Sequence, residues 1–196
     1  MKSSWSALVV IAGLMVTGGT QAVHTQISNP IGVGVVGGTS SPAGGLSDLA
    51  NSGWHAGAFI ELNLPVVPVG FRLEGAWHQF HDKPFAGTTG TTGARIAAIT
   101  LNATYAVLPL PIVKPYVIGG VGEYSVRTTS PAPLPPSQGV RSDFQTTTET
   151  KFGINVGAGV RVQVASFAVF VEARWHDINT SGSNAQMIPV SVGLRF

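Results

Sequence analysis

The sequence predicts an all-β fold, an eight-stranded antiparallel up-and-down transmembrane β-barrel. Three observations lead there. Apolar residues recur at every second position through most of the chain, and the connections between these stretches are alternately short and long. Only 10% of the 196 residues are charged, although 44% are hydrophobic. An ordinary soluble domain carries roughly 25% charged residues, so this surface is short of the groups that keep a globule dissolved.

Composition closes several routes. Eleven Lys plus Arg against nine Asp plus Glu give a formal charge of +2, which excludes a polyanion binder driven by bulk charge, so no nucleic-acid partner is expected. The absence of Cys excludes disulfides, thiolate metal sites, cysteine catalysis and an N-terminal lipoprotein anchor. Twenty-five Gly and thirteen Pro argue against long helices.

Residues 1–22 read as a secretory signal peptide: Lys2, the apolar run Trp5 to Val16, and small residues leading to Thr20-Gln21-Ala22. A spanning helix would need roughly 20 apolar residues, and Gly18-Gly19-Thr20-Gln21 interrupts the run first. The barrel domain is then 23–196, at a formal charge of +1 once Lys2 is removed, with no internal domain boundary.

The clearest strand runs from Phe152 to Val164. Phe152, Ile154, Val156, Ala158, Val160, Val162 and Val164 alternate with Gly153, Asn155, Gly157, Gly159, Arg161 and Gln163. Period two with every apolar residue on one face is a β-strand. The same alternation runs through Trp54 to Leu64, Val69 to His78, Phe167 to His176 and Ile188 to Phe196, and more weakly through Pro30 to Thr39, Ala97 to Val107 and Tyr116 to Val126, eight stretches in all. The links Pro65 to Pro68, Pro109 to Val113 and Ala165-Ser166 are short. The links Ser40 to Gly53, Gln79 to Gly93, Thr128 to Thr150 and Asn179 to Gln186 are longer and polar. Short turns at one end and long loops at the other suit an up-and-down barrel in a membrane.

Alternation alone also fits a soluble sandwich or barrel with its apolar face inward. Two details favour the membrane. Within the strands the polar face carries Gly, Asn, Ser and the charges Glu61, Arg72, Glu74, Glu123, Arg161, Glu172, Arg174 and Arg195, while Lys83, Lys114 and Lys151 fall in loops or at strand ends. A cramped interior favours Gly and the arginine fork, which grips a carboxylate with two hydrogen bonds. The aromatics gather at strand ends: Trp54, Trp77, Tyr124, Phe152 and Trp175 toward the long loops, and Tyr105, Tyr116, Phe167 and Phe196 toward the short turns. Two girdles bounding an aliphatic band mark the two headgroup levels of a bilayer. An eight-stranded barrel has an interior just wide enough for side chains to fill, so four Glu and four Arg are expected to neutralise one another in a closed bore.

At Lys114-Pro115-Tyr116-Val117-Ile118-Gly119-Gly120-Val121-Gly122, at Val156-Gly157-Ala158-Gly159-Val160 and at Val192-Gly193-Leu194-Arg195-Phe196, the chain resembles the bacterial outer-membrane β-barrel domain family, the small OmpA/OmpX-type eight-stranded barrels. The resemblance covers the chain from about residue 28 to the end. It implies the bacterial outer membrane as location and outer-membrane lipid as solvent. It also implies periplasmic chaperones and the barrel-assembly machinery as partners during biogenesis, the latter reading Val190, Val192, Leu194 and Phe196. The long loops would face outward, with a partner the sequence does not name, and the protein is expected to be a monomer.

Other site-like features have plainer readings. Gly32-Val33-Gly34-Val35-Val36-Gly37 has dinucleotide-binding spacing but is followed by turn sequence instead of a helix, so no cofactor is expected. His55, His78 and His176 point inward at the long-loop end without close ligand spacing, so no metal is expected. Ser125 and Ser191 face inward with no histidine placed beside them by register, so no catalytic grouping is evident. Arg95 shares parity with Ala97, Ile99 and Leu101 and should point outward near the long-loop rim, at the level of anionic headgroups; a strand that begins one residue later would make it a loop residue instead. The expected role is structural, a surface-interaction barrel without catalysis. A narrow porin and a lipid A-modifying enzyme are the alternatives.

Overall fold

The computed structural model describes residues 30–64, 67–84, 91–108, 110, 112–131, 144–179 and 185–196. The expected signal peptide and the prolines beyond Pro131 lie outside the described residues. The eight strands are β1 (Ile31–Gly44), β2 (Ala50–Asn63), β3 (Val69–Pro84), β4 (Thr91–Ala106), β5 (Val113–Pro131), β6 (Phe144–Val164), β7 (Phe167–Ile178) and β8 (Ala185–Arg195). Each pairs antiparallel with its neighbour, and β1 closes on β8 from Gly34↔Arg195 to Gly44↔Ala185. Closure leaves no sheet edge, which the hydrocarbon interior demands because nothing there satisfies an unpaired N–H or C=O.

Outward positions carry the aliphatic band: Val33 and Val35, Ile60 and Leu62, Phe71 and Leu73, Ile99 and Leu101, Val117 and Val121, Ile154 and Val156, Val190 and Val192 are all exposed. In water so large an apolar surface would drive association; against acyl chains it is the stable face. Among the described residues the inner surface holds Glu61, Arg72, Glu74, Glu172 and Arg174, the histidines His55, His78 and His176, and most glycines.

The strands, 11 to 21 residues long, exceed the roughly nine to eleven needed to cross hydrocarbon. Part of what alternation reads as loop is therefore strand. Thr128 to Pro131 pairs with Phe144 to Thr147, and Thr129 and Thr146 hydroxyls lie 3.3 Å apart. Beyond the bilayer both faces are wet, so apolar alternation stops while the β-branched threonines still favour pairing. At the long-loop end of β1, Gly44 takes φ 56° and starts a single 3-10 turn, Gly45–Asp48, which turns Leu46 into the barrel mouth. Ser47 Oγ donates to Gly44 O at 2.7 Å, Lys83 Nζ to Ser47 O at 3.0 Å and Thr92 Oγ1 to Leu49 O at 2.7 Å, pinning that segment to β3 and β4. At the opposite end the two-residue turn Ala165-Ser166 has Ala165 at φ 49°.

β5 corrects the sequence reading. Its inward face is Tyr116, Ile118, Gly122, Tyr124 and Val126; Glu123 is exposed and faces out, with Val117 and Val121. Tyr116, 4% exposed, and Tyr124, 0% exposed, thus belong to the bore and not to the outer girdles, and Glu123 is no part of the interior charge set. The physical reason is that both faces of this strand carry apolar residues, so period two fixes no direction. What fixes it is the neighbouring strand. The Tyr116 ring lies over Gly159, which it faces in register, and the Tyr124 ring over Gly153. Phe59 lies likewise against Gly34, and Phe170 against Gly193. Each of these four rings lies in the narrow bore where the adjacent wall has no side chain.

Candidate functional site in the bore

Seven charged side chains from five strands meet inside the barrel: Glu61 from β2, Arg72 and Glu74 from β3, Arg161 from β6, Glu172 and Arg174 from β7, and Arg195 from β8. Arg72 is the hub and is wholly buried. Its Nε and Nη2 each donate to Glu61 Oε2 at 3.0 Å, its Nη1 donates to Glu172 Oε2 at 3.0 Å, and Nη1 lies 3.7 Å from Glu74 Oε2. Its guanidinium carbon sits 4.5 Å from the Phe59 ring centroid and 5.1 Å from that of Phe170. This is a use of arginine that lysine cannot copy, because a planar fork both stacks and bonds in two directions.

The remaining charges extend the network both ways. Toward the short-turn end Glu61 also takes Arg161 at 2.8 Å and Arg195 at 3.3 Å. Toward the long-loop end Arg174 bonds Glu74 and lies 2.8 Å from Glu172. Tyr116 Oη donates to Glu172 Oε2 at 2.7 Å. With Glu123 outside, the set is three glutamates and four arginines, so the expected even balance of charge becomes an excess of one arginine. On the β4 and β6 walls Asn155 Nδ2 donates to Asn102 Oδ1 at 2.8 Å, and Asn102 Nδ2 to Thr100 Oγ1 at 2.9 Å.

Above the charges lies a layer of histidines and hydroxyls. Ser40 Oγ is 3.1 Å from His55 Nδ1 and 2.8 Å from His78 Nδ1, and His55 Nε2 is 2.8 Å from Ser191 Oγ. Tyr124 Oη is 2.9 Å from His176 Nδ1. The sequence reading left Ser191 without a histidine; the structure supplies one, because Gly38 separates Ser191 from His55 and leaves the gap for their side chains to meet. Ser191 and His55 are both buried, deep within the wall and away from the lipid face. The three histidine rings come together as well, His55 5.2 Å from His78 and His78 6.3 Å from His176 between centroids. Among the described residues no group of His, Cys, Asp and Glu has the arrangement of a metal site. Beyond this layer an apolar cluster of Leu46, Phe80, Ile96, Tyr124, Ile178 and Met187 lies toward the long-loop mouth.

The other residues singled out from sequence fall on the outer wall. Trp54, Trp77 and Tyr105 are exposed and face out, with Trp175 half-buried on the same side. Ser125 shares the outward face with Glu123, contrary to the inward position expected for it. Val190, Val192 and Leu194 are exposed along β8, and Phe196 and Val33 exchange backbone hydrogen bonds of 2.8 and 3.1 Å at the seam with β1. The glycines of Gly32-Val33-Gly34-Val35-Val36-Gly37 are barrel wall: a Cβ on Gly32 would enter the Arg195 guanidinium, and one on Gly34 the Phe59 ring.

The outer membrane protein beta-barrel domain matches residues 8–196 of the chain. No curated protein matches it in sequence. Among solved structures, Neisserial surface protein A aligns with a TM-score of 0.63 at 16% identity, covering 85% of this chain and 96% of that one. A major outer membrane protein from Thermus thermophilus aligns at 0.55 and 13% identity, covering 85% and 98%. At these identities the likeness is one of fold.

Proposed function

The chain belongs to the outer membrane protein beta-barrel domain family, and from that premise we propose a structural and surface-contact protein of the outer membrane whose bore is closed to ions and which performs no catalysis. The observation that carries this reading is the Arg72 hub, which ties Glu61 of β2 to Glu172 of β7 across the barrel. A chain of buried, mutually bonded charges leaves an ion no row of waters to follow, and opening it would expose uncompensated charge at a cost of about 3–5 kcal/mol for each broken pair. The Ser191–His55 contact does not favour the enzyme alternative, since a lipid substrate lies outside the wall and these groups lie inside it.

The same reading gives residues 1–22 as a cleaved signal peptide, the long loops as the outward face of a monomer, and Val190, Val192, Leu194 and Phe196 as the segment read by the assembly machinery. The test of the closed bore is single-channel recording of the purified full-length chain in a planar bilayer. The expected trace is that of the bare bilayer; stable, large conductance steps would replace this reading with that of a narrow porin.

A further inference from the structure

Arg95 of β4 and Arg127 of β5 stand directly opposite each other in the ladder, and both are exposed on the outer wall. Like charges facing across strands, with Cβ atoms about 4.5–5.5 Å apart, repel. Among the described residues neither arginine has an ion-pair partner. They sit one outward position beyond Ala97, the register partner of Trp77, and therefore at the headgroup level marked by that tryptophan. Beside them is a hollow of about 170 Å³ lined by Asp82, Thr91, Gly93, Arg95, Arg127 and Thr129. Position 93 has no side chain, which lets the Asp82 carboxylate lie against the backbone there: a Cβ would run into it.

We propose that this hollow binds the phosphate monoester of an outer-leaflet glycolipid, with Arg95 and Arg127 as its two cationic arms and the Thr129 hydroxyl as a further donor. The charge argument selects the ligand. A phosphate monoester carries about −1.5 to −2 at neutral pH, which two guanidiniums match, whereas the diester of an ordinary phospholipid carries a single charge. Each arginine fork bonds phosphate oxygens in pairs, and one bridging anion turns the Arg95–Arg127 repulsion into attraction. Asp82 works against binding: it accepts from Thr91 Oγ1 at 3.4 Å and leaves a negative charge at the hollow's edge. The inference rests on the long-loop rim facing outward.

The test is native mass spectrometry of the full-length barrel released from detergent micelles in the presence of lipid A, of lipid A stripped of its phosphates, or of phosphatidylglycerol. Retention of one lipid A per barrel is expected, with little of the other two. The double variant Arg95→Gln/Arg127→Gln should weaken retention about tenfold or more, the periplasmic-end control Lys114→Gln should leave it unchanged, and Asp82→Asn should strengthen it. The gain from Asp82→Asn is a readout that misfolding does not imitate. Equal retention by the double variant, or of the dephosphorylated lipid, would overturn the proposal. Displacement by inorganic phosphate at matching concentration would overturn the lipid as the source of the anion. Retention of phosphatidylglycerol in place of lipid A would overturn the monoester and point to the opposite leaflet, a result that leaves the closed bore untouched.

Discussion

Replacing Arg72 with methionine keeps most of the side-chain volume and removes the charge at the centre of the bore. Three hydrogen bonds to Glu61 and Glu172 disappear. Breaking one member of a buried charged set costs about 3–5 kcal/mol. Both glutamates keep other partners, Glu61 with Arg161 at 2.8 Å and Glu172 with the Tyr116 hydroxyl at 2.7 Å, which places the pair term near the low end of that range. Loss of the cation packed over the Phe59 and Phe170 rings adds about 1–2 kcal/mol in a desolvated setting. The expected destabilisation is about 4 kcal/mol. Arg161→Met supplies the comparison, because Arg161 is 14% exposed at the rim of the network, donates once, to Glu61, and touches one ring, that of Tyr116 at 5.3 Å; its loss should cost about 1.5–3 kcal/mol, less than that of Arg72. Urea unfolding of the folded barrel in lipid vesicles, followed by tryptophan fluorescence and by the heat-dependent gel shift, measures both. A loss below about 1 kcal/mol for Arg72→Met, or equal losses for the two variants, would refute the claim that the hub is a desolvated, mutually bonded network.

Two further outcomes use the same unfolding measurement. Gly193→Ala would drive a Cβ into the Phe170 ring and bring it to 2.7 Å from Val35 O; the overpacking should cost about 1–3 kcal/mol, with partial recovery in Gly193→Ala/Phe170→Leu, whereas Gly75→Ala, with nothing within 4 Å, should stay within about 0.5 kcal/mol. Tyr116→Phe removes the hydroxyl bonded to Glu172 and should cost about 1.5–3 kcal/mol, while Tyr105→Phe on the exposed outer wall should change stability by no more than about 0.5 kcal/mol; equal effects would mean that the two tyrosines share an environment.

The barrel was legible because most strands bury a polar face and expose an apolar one, which is the plainest form period two can take. β6 states it without exception from Phe152 to Val164. It failed on β5, where Tyr116, Ile118 and Val126 make the inner face as apolar as the outer, and the error carried Glu123, Tyr124 and Ser125 with it. Cross-strand information was the missing ingredient: Gly159 opposite Tyr116 marks the side on which a ring has room. The interior charges of β2, β3, β6, β7 and β8 were readable from parity alone, but their partners were not. Contacts such as Arg72 to Glu172 span 100 positions and depend on closure of the barrel. The Ser191–His55 contact was hidden for a related reason, since it skips a strand by passing over Gly38, and neighbour-by-neighbour reasoning does not reach two strands away.

Every conclusion depends on which side of the wall each side chain occupies, and β5 tests it most sharply. The chain has no cysteine, so single cysteines placed in turn from Tyr116 to Arg127 each carry one nitroxide label in the bilayer-embedded protein. Collision with dissolved oxygen, which concentrates in the acyl region, should be high at positions 117, 119, 121 and 123 and low at 116, 118, 122 and 124. The opposite phase would return Tyr116 and Tyr124 to the lipid face and Glu123 to the bore, and an absence of period two would contradict the barrel wall itself.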